Sequence, residues 1–221
     1  MRSLEIIDLA TMPYADALRM QLALASSVQA DPSEPGRILL VEHDPPVITL
    51  GRRGRRDSIL VSDERLSSLG VEVHRIRRGG DATAHCRGQL VVYPILHLDR
   101  MGIRLRGFIS ALEQTVIRMM SRLGLRGEVR DGLTGVWSGD DGGKVASIGI
   151  AVSKRVTYHG LAVNVSGSMD TFDLIVPCGL RGCKAVSLSQ LLDAEVSMDR
   201  AKDLLVESMC EVLDAEVANV A

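Results

Sequence analysis

The sequence lacks the motifs that would tie it to a nucleotide, a redox cofactor or a metal. It has no G-x-x-x-x-G-K-[ST] phosphate loop and no G-x-G-x-x-G fingerprint, and Gly142-Gly143-Lys144 is too short to stand for either. Its four cysteines, Cys86, Cys178, Cys183 and Cys210, show neither zinc-ligand spacing nor a disulfide framework. No apolar run approaches the length of a membrane span. The first residues, Met1 to Asp8, carry no h-region and no cleavage signature. Lys and Arg number 26 against 28 Asp and Glu, so no global basic character points to nucleic acid. These absences lead us to expect a cytoplasmic protein with reduced thiols, no cofactor, no metal centre, no membrane segment and no nucleic-acid partner. There is no internal repeat, low-complexity segment or linker, so residues 1–221 are expected to form a single domain.

What is present reads as an α/β chain with mostly β structure in its middle. Leu4 to Leu9 has the content of a first strand, and Pro13 suits the opening of a helix over Tyr14 to Gln29. Leu18, Leu22, Ala25 and Val28 recur there at helical spacing. Ile38 to Val41, Val47 to Leu50 and Val71 to Ile76 read as strands, with a short helix capped by Ser62 and ended by Gly70 between the last two. Arg77 to His85 reads as a glycine-bearing turn with a cation at its start and an imidazole at its end. Gln89 to Leu98 is a long apolar strand, with Pro94 expected to break it. Leu105, Phe108, Leu112, Val116 and Met119 mark an amphipathic helix ended by Gly124. Lys144 to Ile150 and Arg155 to Val165 read as strands. A glycine such as Gly160 inside a strand signals a bulge or the close approach of another backbone. Ser197 caps a terminal helix.

Three stretches bear on chemistry. Leu174-Ile175-Val176 running into Pro177-Cys178-Gly179 reads as a buried strand that stops sharply with a thiol at its end. Cys178 is either a buried structural thiol or a nucleophile at a sheet edge. A nucleophilic thiol needs a cation or base. Lys144 is either that group or an exposed hairpin lysine, and His85 and His159 are alternative bases. Gly51 to Arg56 holds four arginines in six residues, either a solvated loop or a docking patch for an acidic partner.

Taken together, the motifs resemble the octanoyl-(acyl-carrier-protein):protein octanoyltransferases, or lipoate-protein ligase B family. Glu42-His43 through Thr49-x-Gly51 resembles the family's E-H-x-P-V-x-T-x-G, with one extra Pro. Arg78-Gly79-Gly80-x-x-Thr83-x-His85 and Gly88-Gln89-Leu90-Val91-x-Tyr93-Pro94 match R-G-G-x-x-T-Y-H-G-P-G-Q-L-V-x-Y-P. Gly135-Val136-Trp137, Lys144-x-Ala146-x-Ile148-Gly149, His159-Gly160-x-Ala162-x-Asn164 and Pro177-Cys178-Gly179 follow in the family's order. The resemblance implies the biotin/lipoyl-ligase fold, a central mixed sheet with helices plus a smaller sheet. It implies transfer of an octanoyl group from octanoyl-acyl carrier protein to a lysine of lipoyl domains. The acceptors would be those of 2-oxoacid dehydrogenase E2 subunits and the glycine-cleavage H protein.

By the same resemblance Cys178 would carry the thioester and Lys144 would tune its thiol. Arg78, Gly79, Gly80, Asp81, Ala82, Thr83, Ala84 and His85 would line the acyl site, with Ser147, Ile148, Gly149, Gly160, Leu161 and Ala162. The family's T-Y-H-G-P-G-Q reads Thr83-Ala84-His85-Cys86-Arg87-Gly88-Gln89 here. Loss of the aromatic at Ala84 would widen the pocket if that position faced the chain, unless Cys86 and Arg87 refill the space. Two other readings compete: an ATP-dependent lipoate or octanoate ligase of the same fold, and a non-catalytic acyl- or carrier-binding module.

Overall fold

The computed structural model describes residues 2–31, 33–139, 142–176 and 183–220. Strands β1 (Arg2–Met12), β2 (Gly36–His43), β6 (Gln89–Ile95), β7 (Gly127–Arg130), β8 (Leu133–Ser138), β9 (Lys144–Ser153), β10 (Val156–Asn164) and β11 (Ala215–Val220) form one sheet, in the order β11-β1-β2-β6-β10-β9-β8-β7. Its β11, β1 and β2 pairings are parallel and the rest antiparallel, so the sheet is mixed. Strands β3 (Val47–Leu50), β4 (Glu72–Arg75) and β5 (Ala82–His85) make a second sheet of three, ordered β4-β3-β5. The expected α/β architecture of a large mixed sheet, a smaller sheet and flanking helices is what the chain adopts. No helix among the described residues is long and apolar enough to cross a membrane.

Helices cover both faces of the large sheet. Phe108, Leu112, Val116 and Met119 of α3 (Leu105–Arg122) pack with Ala201, Leu204 and Leu205 of α5 (Met198–Leu213) over Leu90, Val92 and Val163. On the other face, Ala17, Ala25 and Val28 of α1 (Tyr14–Ala30) meet Val91, Tyr93 and Tyr158. The strands alternate accordingly: β6 sends Leu90 and Val92 one way, Val91 and Tyr93 the other. Ser197 accepts a hydrogen bond from Arg200 N–H at the start of α5, as its capping position predicts, and Ser62 does the same from Arg65 N–H at α2 (Asp63–Ser68).

Several expectations need correction. The inward face of α1 is Tyr14, Ala17, Gln21, Ala25 and Val28, so Ala25 and Val28 fall where the spacing put them, whereas Leu22 is 49% exposed and Gln21 is buried as an acceptor for His159 N–H. Pro94 does not break β6. It pairs with Ile38, and its carbonyl accepts from the Thr157 hydroxyl at 2.6 Å, so the strand runs on to Ile95. The end of the Arg77 to His85 turn is strand β5, zipped antiparallel to β3. Leu174 is not in a strand. Asp170–Leu174 is a 3-10 turn, and Ile175 makes one isolated bridge to Ile59. Strand β11 and the short α4 (Leu188–Leu192) were not foreseen.

Gly160 bears out the close approach inferred from the sequence. A Cβ there would lie 1.9 Å from the Val92 carbonyl oxygen and 2.8 Å from Pro94 Cδ, because β6 presses against β10 at this point. Backbone oxygen cannot swing aside as a side chain can. Gly160→Ala is therefore expected to destabilise the protein by more than about 2 kcal/mol, read as a lower urea midpoint with an unchanged slope.

Candidate active site

The candidate site lies at the free edge of β9. Strand β8 pairs with β9 only at Lys144 and Ala146, leaving the rest of that edge open. The Arg78-Gly79-Gly80 turn occupies it, with Gly79 N–H donating to Ile150 O at 3.0 Å. Two glycines make the approach possible. A Cβ on Gly149 would come within 2.8 Å of Arg78 Cδ, and one on Gly51 within 2.5 Å of Gly80 O. Arg78 itself is buried. Its guanidinium donates to Thr49 O at 2.6 Å, to Thr49 Oγ1 at 2.9 Å and to Gly79 O at 3.0 Å, tying the turn to β3.

Inside this edge, between the two sheets, is a narrow cavity of about 40 Å³. Arg78, Gly80, Thr83 and His85 line it from the small-sheet side, and Ser147, Ile148 and Gly149 from β9. Gly160, Leu161 and Ala162 complete it from β10. The three separated stretches singled out in the sequence thus converge. Not every residue in them faces the cavity. Asp81 turns its carboxylate to the Ser58 hydroxyl at 2.6 Å and to Ala82 N–H. Ala82 and Ala84 point the opposite way along β5, into a cluster with Ile48, Leu50, Leu66 and Phe172. An aromatic lost at Ala84 would therefore enlarge that cluster, not the cavity. Nor does Arg87 refill anything, since it pairs with Asp44 at the surface.

Sequence reasoning missed Tyr14, Ile76 and Tyr93 as lining residues. Tyrosine scarcity was the available signal, for the chain has three and two of them are here. The Tyr14 ring stacks at 6.4 Å from His85 and contacts His43 and His74. Its hydroxyl and that of Thr83 are buried with no hydrogen-bond partner among the described residues. An unpaired buried hydroxyl costs about 1–3 kcal/mol, so a ligand with a polar group alongside its apolar chain suits this wall better than a plain alkane.

A second, larger and open cleft of about 450 Å³ joins the cavity at Gly80, Ile148 and Gly149. Leu105 and Ile109 of α3 give it apolar walls, and Arg52, Arg53, Gly79 and Lys144 line it too. Lys144 is not an exposed hairpin lysine: it is 4% exposed. Its Nζ donates to Thr134 O at 3.1 Å and stands 4.8 Å over the Trp137 ring. Gly135 makes room for it, since a Cβ there would come 2.7 Å from Lys144 Cε. Of the four arginines, Arg55 and Arg56 sit beside Asp57 and Asp63, whereas Arg52 and Arg53 reach the cleft.

Residues 177–182, including Cys178, lie outside the described residues. Val176 N–H donates to Ser58 O, and beyond the segment Lys184 O accepts from Lys144 N–H at 2.8 Å, where Lys144 pairs with Ala185. The chain therefore leaves from beside Asp81's partner and returns beside Lys144.

The lipoyl protein ligase A/B catalytic domain matches residues 13–210. The chain belongs to this family. An octanoyltransferase from Maridesulfovibrio salexigens is 40% identical over 97% of this chain and 99% of its own. Among solved structures, a lipoate-protein ligase A bound with ATP superposes with a TM-score of 0.74 at 17% identity, covering 100% of this chain and 90% of its own. The biotin protein ligase of Aquifex aeolicus does so at 0.53 and 11%, over 97% and 70%. At these identities the structures speak for the fold alone, which is the biotin/lipoyl-ligase fold that the motifs implied.

Electrostatics sets the protonation of the cavity wall. Burial holds the imidazole of His43 down at about 4 and those of His85 and His159 at about 3, the Arg78 charge adding to the effect on the last two. All three are neutral at pH 7. Unfolded, each would titrate near 6.5, so between that value and the folded pKa the unfolded chain binds more protons. Stability should then be full above pH 6.5 and fall on acidification, by up to about 1.4 kcal/mol per pH unit for each histidine. The melting temperature at pH 5 is expected well below that at pH 7.5, and His43→Gln should flatten the slope. An equal slope in both proteins would show that His43 is not held neutral.

Proposed function

We propose that the chain 1–221 is one cytoplasmic catalytic domain that moves an octanoyl group from octanoyl-acyl carrier protein to the lysine of lipoyl domains, through a thioester on Cys178. The observation that carries this reading is the convergence of the Arg78, Ser147 and Gly160 stretches on one cavity that opens, beside Lys144, into a cleft rimmed by arginines. Six buried methylenes at about 0.8 kcal/mol each give roughly 5 kcal/mol, enough to hold the chain without nucleotide contacts.

In the first half-reaction the Cys178 thiolate attacks the thioester carbonyl. A new C–S bond forms, the carrier's C–S bond breaks, and the carrier thiolate leaves to take up a proton. In the second half the acceptor lysine amine attacks, a C–N bond forms, and the thiolate of Cys178 is released as the amine loses its proton. Lys144, as the ammonium, keeps the thiol ionised and gives its proton to the departing carrier thiolate in the first half; as the neutral amine it then takes the acceptor's proton in the second, restoring the starting pair. Exchange between thioesters is nearly isoenergetic, so no ATP is spent.

The acceptors are lipoyl domains of the kind carried by 2-oxoacid dehydrogenase E2 subunits and the glycine-cleavage H protein. The acidic carrier docks on Arg52 and Arg53, the two arginines of the loop that face the cleft.

An ATP-dependent ligase shares this fold, and free octanoate with ATP separates the two readings: the ligase would charge a lipoyl domain, the transferase would not. Intact mass after mixing with octanoyl-acyl carrier protein should rise by one octanoyl group, mapped to Cys178 and released by hydroxylamine. Cys178→Ala should abolish both adduct and turnover, and labelling at Cys86, Cys183 or Cys210 instead would sink the assignment. Charge reversal at Arg52 and Arg53 should raise the KM for the carrier-borne donor about tenfold with kcat little changed; an unchanged KM removes the docking role.

A further inference from the structure

Lys144, the extended segment Lys184 to Val186 and the acyl cavity are joined by one buried chain of side-chain amides. Asn164, at the end of β10, is 3% exposed. Its Nδ2 donates both to Lys144 O at 3.2 Å and to Val186 O at 3.1 Å. Its Oδ1 accepts from Gln89 Nε2 at 2.8 Å, and Gln89 Oε1 lies 2.7 Å from His85 Nδ1 in the cavity wall. Each step fixes the next. Carbonyls only accept, so the Asn164 amide can face only one way. Gln89 must then offer its N–H₂ to Asn164 and its oxygen to His85. The proton of neutral His85 is consequently on Nδ1, and Nε2 keeps its lone pair.

We propose that Asn164 and Gln89 are positioning residues. They hold the backbone that carries Lys144 and the segment Lys184 to Val186 as one unit, registered against the acyl cavity through His85. The inference rests on the reading that Lys144 and Cys178 act together. Neither amide touches the reacting atoms. Their effect is on where Lys144 stands relative to the returning chain, a placement in which an error of about 1 Å can cost a hundredfold in rate.

The test combines kinetics, alkylation and spectroscopy. Asn164→Ala should lower kcat by about tenfold to a hundredfold, with the KM for the octanoyl donor within about threefold. It should also move the pH profile of Cys178 alkylation by iodoacetamide in the same direction as Lys144→Ala does. The double variant should be no worse than Lys144→Ala by more than about threefold, since residues acting as a unit are not additive. Gln89→Met, further from Lys144, should show the same pattern at smaller amplitude. In the unmodified protein, imidazole nitrogen NMR of His85 should show Nδ1 protonated and Nε2 bare between pH 6 and 8.

The Nε2–H tautomer would overturn the proposal whether or not the variants fold. So would a folded Asn164→Ala with unmoved kcat and alkylation profile. If Lys144→Ala changes neither turnover nor alkylation, the catalytic reading of Lys144 falls and this inference with it. If Lys144→Ala is impaired and Asn164→Ala is not, this inference falls alone.

Discussion

The buried guanidinium of Arg78 is the constraint on which the site depends. Among the described residues it is the one full charge in the cavity wall, it is 7% exposed, and carbonyl and hydroxyl oxygens of Thr49 and Gly79 accept its hydrogen bonds. A charge in that position needs several acceptors to offset its lost hydration. Thr49 and Gly79 supply them, and in doing so they lock β3 and the turn together against the open edge of β9. Burial, with the same charge adding to it, discourages protonation of His85 and His159. The glycines at 51 and 149 follow from this arrangement: they stand where the arginine stem and the turn must pass.

Strand alternation decides which side chains meet the cavity. Along β5, Thr83 and His85 face it, while Ala82 and Ala84 face the core of the smaller sheet. Along β9, Lys144 is in the cleft on the α3 side, and Ser147 lines the cavity. The cavity and the cleft therefore lie on either side of one strand edge and communicate around it at Gly80 and Gly149.

Polar groups buried around the site are nearly all answered. His43 donates from Nδ1 to Met12 O and accepts from the Tyr93 hydroxyl at Nε2, which fixes its tautomer as firmly as that of His85. Val176 N–H, donating to the Ser58 carbonyl beside Asp81, ties the chain before residues 177–182, and the bridge between Lys144 and Ala185 ties it after them. The unpaired hydroxyls of Tyr14 and Thr83 stand out against this background because both face the cavity.

Local sequence determined a good deal. Helical spacing and capping residues set α2, α3 and α5 near their observed limits, since their signals lie within a few residues of one another. Gly160 announced a close backbone contact, and the ordered motifs from Glu42 to Cys178 carried the family and with it the fold. Tertiary structure decided the rest. Whether Pro94 ends a strand depends on a hydroxyl at Thr157, more than sixty residues away. Whether Lys144 is solvated or buried depends on Thr134 and Trp137, and the spacing of Leu22 could not reveal that Gln21 is wanted inside by His159. Which of Thr83 and Ala84 meets the ligand turns on the pairing of β5 with β3, because a shift of one residue exchanges the faces of a strand. Composition and spacing register which residues are apolar or small; they do not register which distant backbone atom will need a partner.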